Sequence, residues 1–204
     1  MPMRTLTLAL LFFAQAQTYP PPYPRAGTTK IMENDRLVVW DVSWLKQAYP
    51  VHRHVYDYAG VYYTSGDRII VSEQGTRSPT RSVAWDTFVL PRGITHSEEG
   101  ASDQPLRGVF LEFKEPQPRG AADARTSPPA FPGVLGKQLR DNDRVTIWEL
   151  TPAPGAQPPH LHARDAAIVA FTELKPHVTF VERGTVHMDE QTTGADRVFA
   201  FEVK

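Results

Sequence analysis

Apolar residues along this chain come in short, dense bursts separated by turn formers. Leu37-Val38-Val39-Trp40, Gly60-Val61-Tyr62-Tyr63, Thr87-Phe88-Val89-Leu90 and Val109-Phe110-Leu111-Glu112-Phe113 are rich in β-branched and aromatic residues and bounded by Gly, Pro, Asp or Ser. The second half repeats the texture with Val145-Thr146-Ile147-Trp148, Ile168-Val169-Ala170-Phe171, Val178-Thr179-Phe180-Val181 and Val198-Phe199-Ala200-Phe201. Apart from a turn near Ser43 to Gln47, no stretch has the period of an amphipathic helix. Many short strands with turn signals between them predict an all-β sandwich or small barrel.

Two proline-rich stretches divide the pattern. Gln17 to Arg25 contains Pro20, Pro21, Pro22 and Pro24 and reads as an extended tether outside the core, ending at residue 27. Glu115 to Gly133 carries Pro116, Pro118, Pro128, Pro129 and Pro132 and reads as a linker between two halves, residues 28–114 and 134–204. The halves repeat one another. Asn34-Asp35-Arg36 recurs as Asn142-Asp143-Arg144, Trp40-Asp41 as Trp148-Glu149, Pro50 as Pro158 and Asp57 as Asp165, each 108 positions on. Glu112-Phe113-Lys114 and Glu202-Val203-Lys204 are corresponding closing strands. Trp40 and Trp148 recurring in this way favours a packing role.

Six of the seven histidines follow the same repeat. His52-Arg53-His54 precedes Pro91-Arg92-Gly93-Ile94-Thr95-His96, and His160-Leu161-His162 precedes Glu182-Arg183-Gly184-Thr185-Val186-His187. His52 and His160 are 108 apart but His96 and His187 only 91, so the first half carries 17 extra residues. These fall in Ser65 to Trp85, where Gly66 and Gly75 bracket Arg68-Ile69-Ile70-Val71, and read as an enlarged hairpin at a barrel rim. An HxH pair on a strand points both imidazoles to one face, because side chains alternate with period 2. A third His on a neighbouring strand completes a three-nitrogen pocket suited to a divalent transition metal. His177, outside the scheme, follows Pro176 at a strand start and reads as structural.

Composition narrows the chemistry. With 22 Lys and Arg against 23 Asp and Glu, the chain has neither a basic stripe nor an acidic tail, which argues against a nucleic-acid partner. Residues 1–16 have the make-up of an export signal. Arg4 supplies the n-region, Leu6 to Ala14 is apolar except for Thr7, and Ala14-Gln15-Ala16 offers a cleavage site. The apolar run is shorter than the roughly 20 residues that span a bilayer, and a buried N-terminal strand or helix is the competing reading. A periplasmic or secreted protein, free of the membrane once the signal is cleaved, is the expectation. With no Cys, any metal site must be built from His and carboxylate.

The two HxH pairs, each followed by a Gly-x-x-His, make the chain resemble the cupin superfamily, specifically bicupins. The resemblance covers about Thr28 to the C-terminus. It implies two tandem cupin barrels (double-stranded β-helix or jelly-roll) that hold a divalent metal: iron, manganese, nickel, copper or zinc, with iron slightly favoured. It assigns His52, His54 and His96 to one site, and His160, His162 and His187 to another. Residues 91–96 match the second cupin motif in full; residues 182–187 match except that Glu182 replaces Pro. The Glu of the first cupin motif, counted from His54 and His162, falls on Ala59 and Ala167, which cannot ligate. The resemblance therefore supports three-His sites. Such sites occur among iron oxygenases that cleave thiols, diketones or gentisate-type rings, and oxalate chemistry is disfavoured.

Other carboxylates are candidates to compensate. Asp57 and Asp165 sit three residues after each HxH, and by strict alternation they point away from the pocket unless a bulge re-aims them. Glu98-Glu99 and Asp189-Glu190 follow the closing histidines. Glu98 and Asp189 share a face with them, as a fourth ligand, an orienting partner or a general base, with a solvated turn as the bland alternative. Tyr56 and Tyr58 share a face with His54 and are candidate substrate-lining residues, core filling being the equal alternative. Their counterparts are Arg164 and Ala166, so the two pockets should differ, and the first is favoured as functional.

The expected function is an exported metalloprotein acting on a small organic molecule. Two classes stay open: a non-haem metal-dependent dioxygenase, with Glu98 as base, and a non-catalytic binding module for a metal or small ligand. Assembly into a homo-oligomer also stays open.

Overall fold

A computed structural model describes residues 18–115, 136–151, 159–187 and 194–204; among them the fold is all-β, with no helix. The segment read as an export signal, most of the segment read as a linker, and Asp189 and Glu190 lie outside the described residues. In the first half, β1 (Thr28–Glu33), β2 (Leu37–Trp44), β4 (Asp57–Tyr62), β7 (Thr87–Leu90) and β9 (Leu106–Phe113) form a sheet in the order β1-β2-β9-β4-β7. A second sheet, β3-β8-β5-β6, pairs β3 (His52–Arg53), β8 (Thr95–Gly100), β5 (Gly66–Ser72) and β6 (Arg77–Ser82). The second half repeats the larger sheet as β10-β11-β16-β13-β14, from β10 (Gly136–Asp141), β11 (Val145–Leu150), β13 (Asp165–Thr172), β14 (Lys175–Val181) and β16 (Arg197–Val203). Its other described sheet is the pair β12 (His160–Leu161) and β15 (Val186–His187). The repeat extends to irregularities: β1 and β10 shift register at equivalent places, between Lys30 and Met32 and between Gln138 and Arg140.

The continuous apolar bursts are explained by burial of both faces of each five-stranded sheet. Along β2, Leu37 and Val39 face one way while Val38, Trp40, Val42 and Trp44 face the other, and all are buried. The first set joins Ala59, Val61, Val109, Leu111 and Phe113 in a core shared with Val145, Ile147, Ala167, Val169, Phe171, Phe199 and Phe201 of the second half. The two large sheets thus pack face to face, and their other faces close the separate barrel interiors. Since each fully buried Val, Leu or Phe contributes about 1.5–3 kcal/mol, this shared core holds the halves as one body.

Buried ion pairs reinforce it reciprocally. Arg36 Nε lies 2.7 Å from Asp165 Oδ2, and Arg144 Nε lies 3.1 Å from Asp57 Oδ2. Repeat-related residues thus swap partners across a pseudo-two-fold, as in an isologous interface. The other oxygen of each Asp accepts the backbone N–H of Arg92 or Arg183, at 2.9 Å in both cases. Asp57 and Asp165 therefore face the partner barrel and the glycine turn, away from the histidines.

Two sequence expectations need correction. The segment read as a tether outside the core is extended but packed: Pro22 and Tyr23 are buried, Tyr23 belongs to the first barrel's interior, and Pro20 O accepts the Arg53 N–H at 2.9 Å. Its proline-rich composition reports an extended backbone, and Tyr23 supplies the apolar surface that docks it. The extra hairpin is not a rim decoration either. β5 pairs along β8 from Arg68–Gly100 to Ser72–His96, so the hairpin builds the wall of the small sheet.

Candidate metal centre

Sequence and geometry meet first at the glycine turns. Gly93 and Gly184 have φ of 92° and 77°, a conformation costly for residues with a Cβ. Each turn is tied to its HxH segment, with Gly93 N donating to His54 O at 2.7 Å and Gly184 N to His162 O at 2.9 Å. The strand after the turn then runs antiparallel to the HxH strand, in the same register in both halves: His52 opposite His96, and His160 opposite His187.

In the first barrel this brings three imidazoles together. His52, His54 and His96 are buried, and one ligating nitrogen from each lies within 4.8 Å of the others. Ring centroids are 4.7–5.2 Å apart and the planes cross at 70–86°. His52 Nδ1 lies 3.1 Å from Pro50 O, which fixes the tautomer that leaves Nε2 as acceptor. His52 Nε2, His54 Nδ1 and His96 Nε2 are buried without a hydrogen-bond partner. Buried ring nitrogens without partners are costly unless a cation engages the rings, and with metal–nitrogen bonds of about 2.0–2.1 Å a divalent ion fits the group of three with small movements. Burial holds these rings neutral: His52 below its ordinary value, His54 at about 3, with His52 and His96 adding to the effect, and His96 at about 4. Neutral imidazole is the ligating form.

The wall of the site differs from the expected frame. The residue four after His54, not five, faces the pocket. Tyr58 stacks on the His54 ring at 4.1 Å with 8° between planes, while Ala59 lies in the shared core between the barrels. Ala167 lies in that core too. Both alanines are therefore apolar packing positions, and the place a fourth ligand could approach is filled by a tyrosine. Tyr56 is half-buried and does not line the cavity beside the histidines.

Glu98 does reach the site, on the same face of β8 as His96. Its oxygens are already engaged: Arg68 at 2.9 Å on Oε1, Trp44 Nε1 at 2.9 Å and Arg25 at 3.5 Å on Oε2. Burial pushes its carboxyl up, but Arg68 and Arg25 outweigh burial and hold it below the usual range. A carboxylate so held is a poor proton acceptor at neutral pH; its chemistry here is to keep two arginines beside the histidines.

Those arginines were not read from the sequence. Arg68 comes from the extra hairpin and also donates to Tyr62 Oη at 2.7 Å; Arg25 comes from the proline-rich segment and sits 3.6 Å over the Tyr49 ring. The only sequence signal was a lone charge opening the apolar run 68–71. Glu112 was read as a strand residue alone, yet it is buried, accepts from Trp40 Nε1 at 2.8 Å, and burial raises its carboxyl above the usual value. Glu202 and Trp148 repeat this pair at 3.0 Å. In the second barrel His162 is fully buried, and His177 is exposed on β14.

No family model and no curated protein matches the chain. Solved structures do. AerE from Microcystis aeruginosa superposes with a TM-score of 0.59 at 11% identity, over 92% of this chain and 99% of its own. A salicylate 1,2-dioxygenase from Pseudoaminobacter salicylatoxidans superposes at 0.52 and 11% identity, over 82% of this chain and 71% of its own. A cupin domain from Bordetella pertussis Tohama I is 22% identical over 49% of this chain and all of its own, at 0.41. The glycine-turned histidine motifs, the paired sheets of each half and the first two of these likenesses agree: the chain has the cupin fold, as two barrels in one polypeptide.

Proposed function

We propose that this is an exported metalloprotein whose first barrel holds a divalent transition metal, iron above the others, on His52, His54 and His96, and acts as an oxygenase on a small organic molecule. The observation that carries the reading is the convergence of three buried imidazoles, each offering one nitrogen within 4.8 Å of the others. A metal held there would supply Lewis-acid or redox activation of whatever enters its remaining positions. The chain's own residues orient the rings, through Pro50 O on His52 and Tyr58 against His54, and line the approach with aromatic side chains that exclude water. His160, His162 and His187, on the same register, are proposed as a second, weaker metal site. The dioxygenase named among the structural likenesses supports the fold only, so the activity rests on the site. The N-terminal apolar run supports export to a periplasmic or extracellular location, and the near-neutral charge supports a small-molecule partner over nucleic acid.

A second reading is favoured by one observation. The cavity beside His54 and His96 is about 40 Å³, small for an organic substrate, which suits a binding module for a metal or small ligand. Elemental analysis of the mature protein, followed by oxygen uptake with diketones, thiols and catechol-like acids, tests both. The metal reading predicts at least one equivalent, lost in His96→Ala; no metal under iron- and manganese-replete expression overturns it. Metal without oxygen uptake selects the binding module.

A further inference from the structure

We infer that the first barrel binds a small monoanion beside the metal, with Arg68 as the group that recognises its charge; this rests on the metal reading above. The cavity next to the histidines is lined on one side by His54 and His96 and on another by Arg68, with Tyr58, Phe88 and Phe110 among its walls. The two ionised groups that line it, Arg68 and Glu98, are paired at 2.9 Å and leave no net charge, and Glu98 is shared with Arg25, which does not line the cavity. A divalent ion on three neutral imidazoles would add two positive charges that no other group of the lining offsets. Excess buried charge is costly, and an anion entering the cavity offsets it.

The hydrogen-bonding inventory points the same way. Arg68 donates to Glu98 and Tyr62, yet its Nε–H is buried without an acceptor. A guanidinium carries five donors in a fork that matches a carboxylate. The aromatic walls keep water out and so strengthen an Arg–anion contact. Volume sets the size. At about 10–15 Å³ per water, a cavity of about 40 Å³ admits only a few heavy atoms. Formate, acetate or azide fit that description, whereas an aromatic acid would require the Tyr23–Arg25 segment to move. The recognition element arrives on the hairpin that the first half has and the second lacks, so this specificity belongs to one barrel.

The test uses the full mature chain loaded with Co(II), whose visible spectrum reports ligands entering the metal's coordination sphere. Azide and acetate are expected to perturb the spectrum saturably, with acetamide, the neutral analogue, at least about tenfold weaker. Arg68→Met should weaken both anions by about tenfold or more while metal stoichiometry is retained, and Arg68→Lys should recover part of the loss. Equal affinity for acetate and acetamide, or unchanged azide binding in Arg68→Met, overturns the inference even if metal is bound. The acetate and acetamide comparison needs no variant, so it stands if Arg68→Met fails to fold. If no metal loads, the proposed function fails separately. Metal-free protein then tests Arg68 by itself: acetate should raise its melting temperature more than acetamide does, and equal effects overturn the assignment.

Discussion

Inside the first barrel the strands present Trp40, Tyr58, Tyr62 and Phe110; at the equivalent places the second presents Trp148, Ala166, Ala170 and Ala200. The first small sheet has four strands, and the described part of the second has two. Both halves keep the glycine turn, the histidine register, the Trp–Glu pair and the interlocking Arg–Asp pairs. The shared features lie on the scaffold and in the contact between barrels. The divergent ones line the pocket. One scaffold is thus used twice, and among the described residues only the first copy surrounds its histidines with a charged, aromatic-walled cavity.

The sharpest way to break this comparison is to remove one histidine from each half. His96→Ala should abolish the tighter metal equivalent and any oxygen uptake, whereas His162→Ala should cost at most a weaker second equivalent and leave activity in place. Metal analysis and an oxygen electrode decide it, and the reverse result would make the second barrel the functional one.

Next in size is a test of the frame itself. Ala59→Glu places a carboxylate in the fully buried core between barrels, at a cost of several kcal/mol, and should yield unfolded or insoluble protein. Tyr58→Glu puts the carboxylate against the His54 ring instead. That variant should fold with reduced stability and bind Mn(II) more tightly than wild type. Tighter binding in Ala59→Glu would mean the face assignment of β4 is wrong.

The reciprocal ion pairs come third. Arg36→Ala strands Asp165 in a site where both groups are about 6–7% exposed, and breaking such a pair costs about 3–5 kcal/mol. A melting temperature lowered by on the order of 10 °C is expected. Arg144→Ala should cost less, because Asp57 is 14% exposed. Equal, negligible losses in calorimetry would show that the shared apolar core alone joins the barrels.

The smallest effect is acid sensitivity of the metal-free protein. Burial holds His54 at about 3 and His96 at about 4, whereas an unfolded histidine titrates near its ordinary 6.5. Between those values the unfolded state binds more protons, so stability is intact above about pH 6.5 and declines as pH falls towards 3. Thermal melts at pH 7 and pH 5 should show the loss, reduced in a His54→Gln, His96→Gln double variant. An undiminished pH slope in that variant would place the acid sensitivity elsewhere.

Much of the fold was legible because its signals are local. All eight apolar bursts named from the sequence fall on strands, with only Tyr63 just past the end of β4, and Thr87–Leu90 coincides with β7 to the residue. The histidine triad was legible for the same reason: HxH alternation and a glycine turn are short-range constraints, and repetition 108 residues on made chance improbable. Alternation also placed Glu98 beside His96. It also placed Tyr58 on the face of His54, whereas the motif count had put the fourth position on Ala59, which lies in the core between barrels; Tyr56, expected beside Tyr58, is at a bend before β4 and does not line the cavity. No local pattern announces such a bend.

By itself, then, the sequence determined the β class, the duplication and which histidines share a face, since all three follow from period-2 alternation and turn chemistry. Only the tertiary structure decided what surrounds them. Burial of both faces of the large sheets, the Arg36–Asp165 and Arg144–Asp57 exchange, and the convergence of Arg25, Arg68 and Glu98 from three distant segments depend on how sheets stack. Stacking is set by the summed burial of many side chains, which no single stretch of sequence encodes.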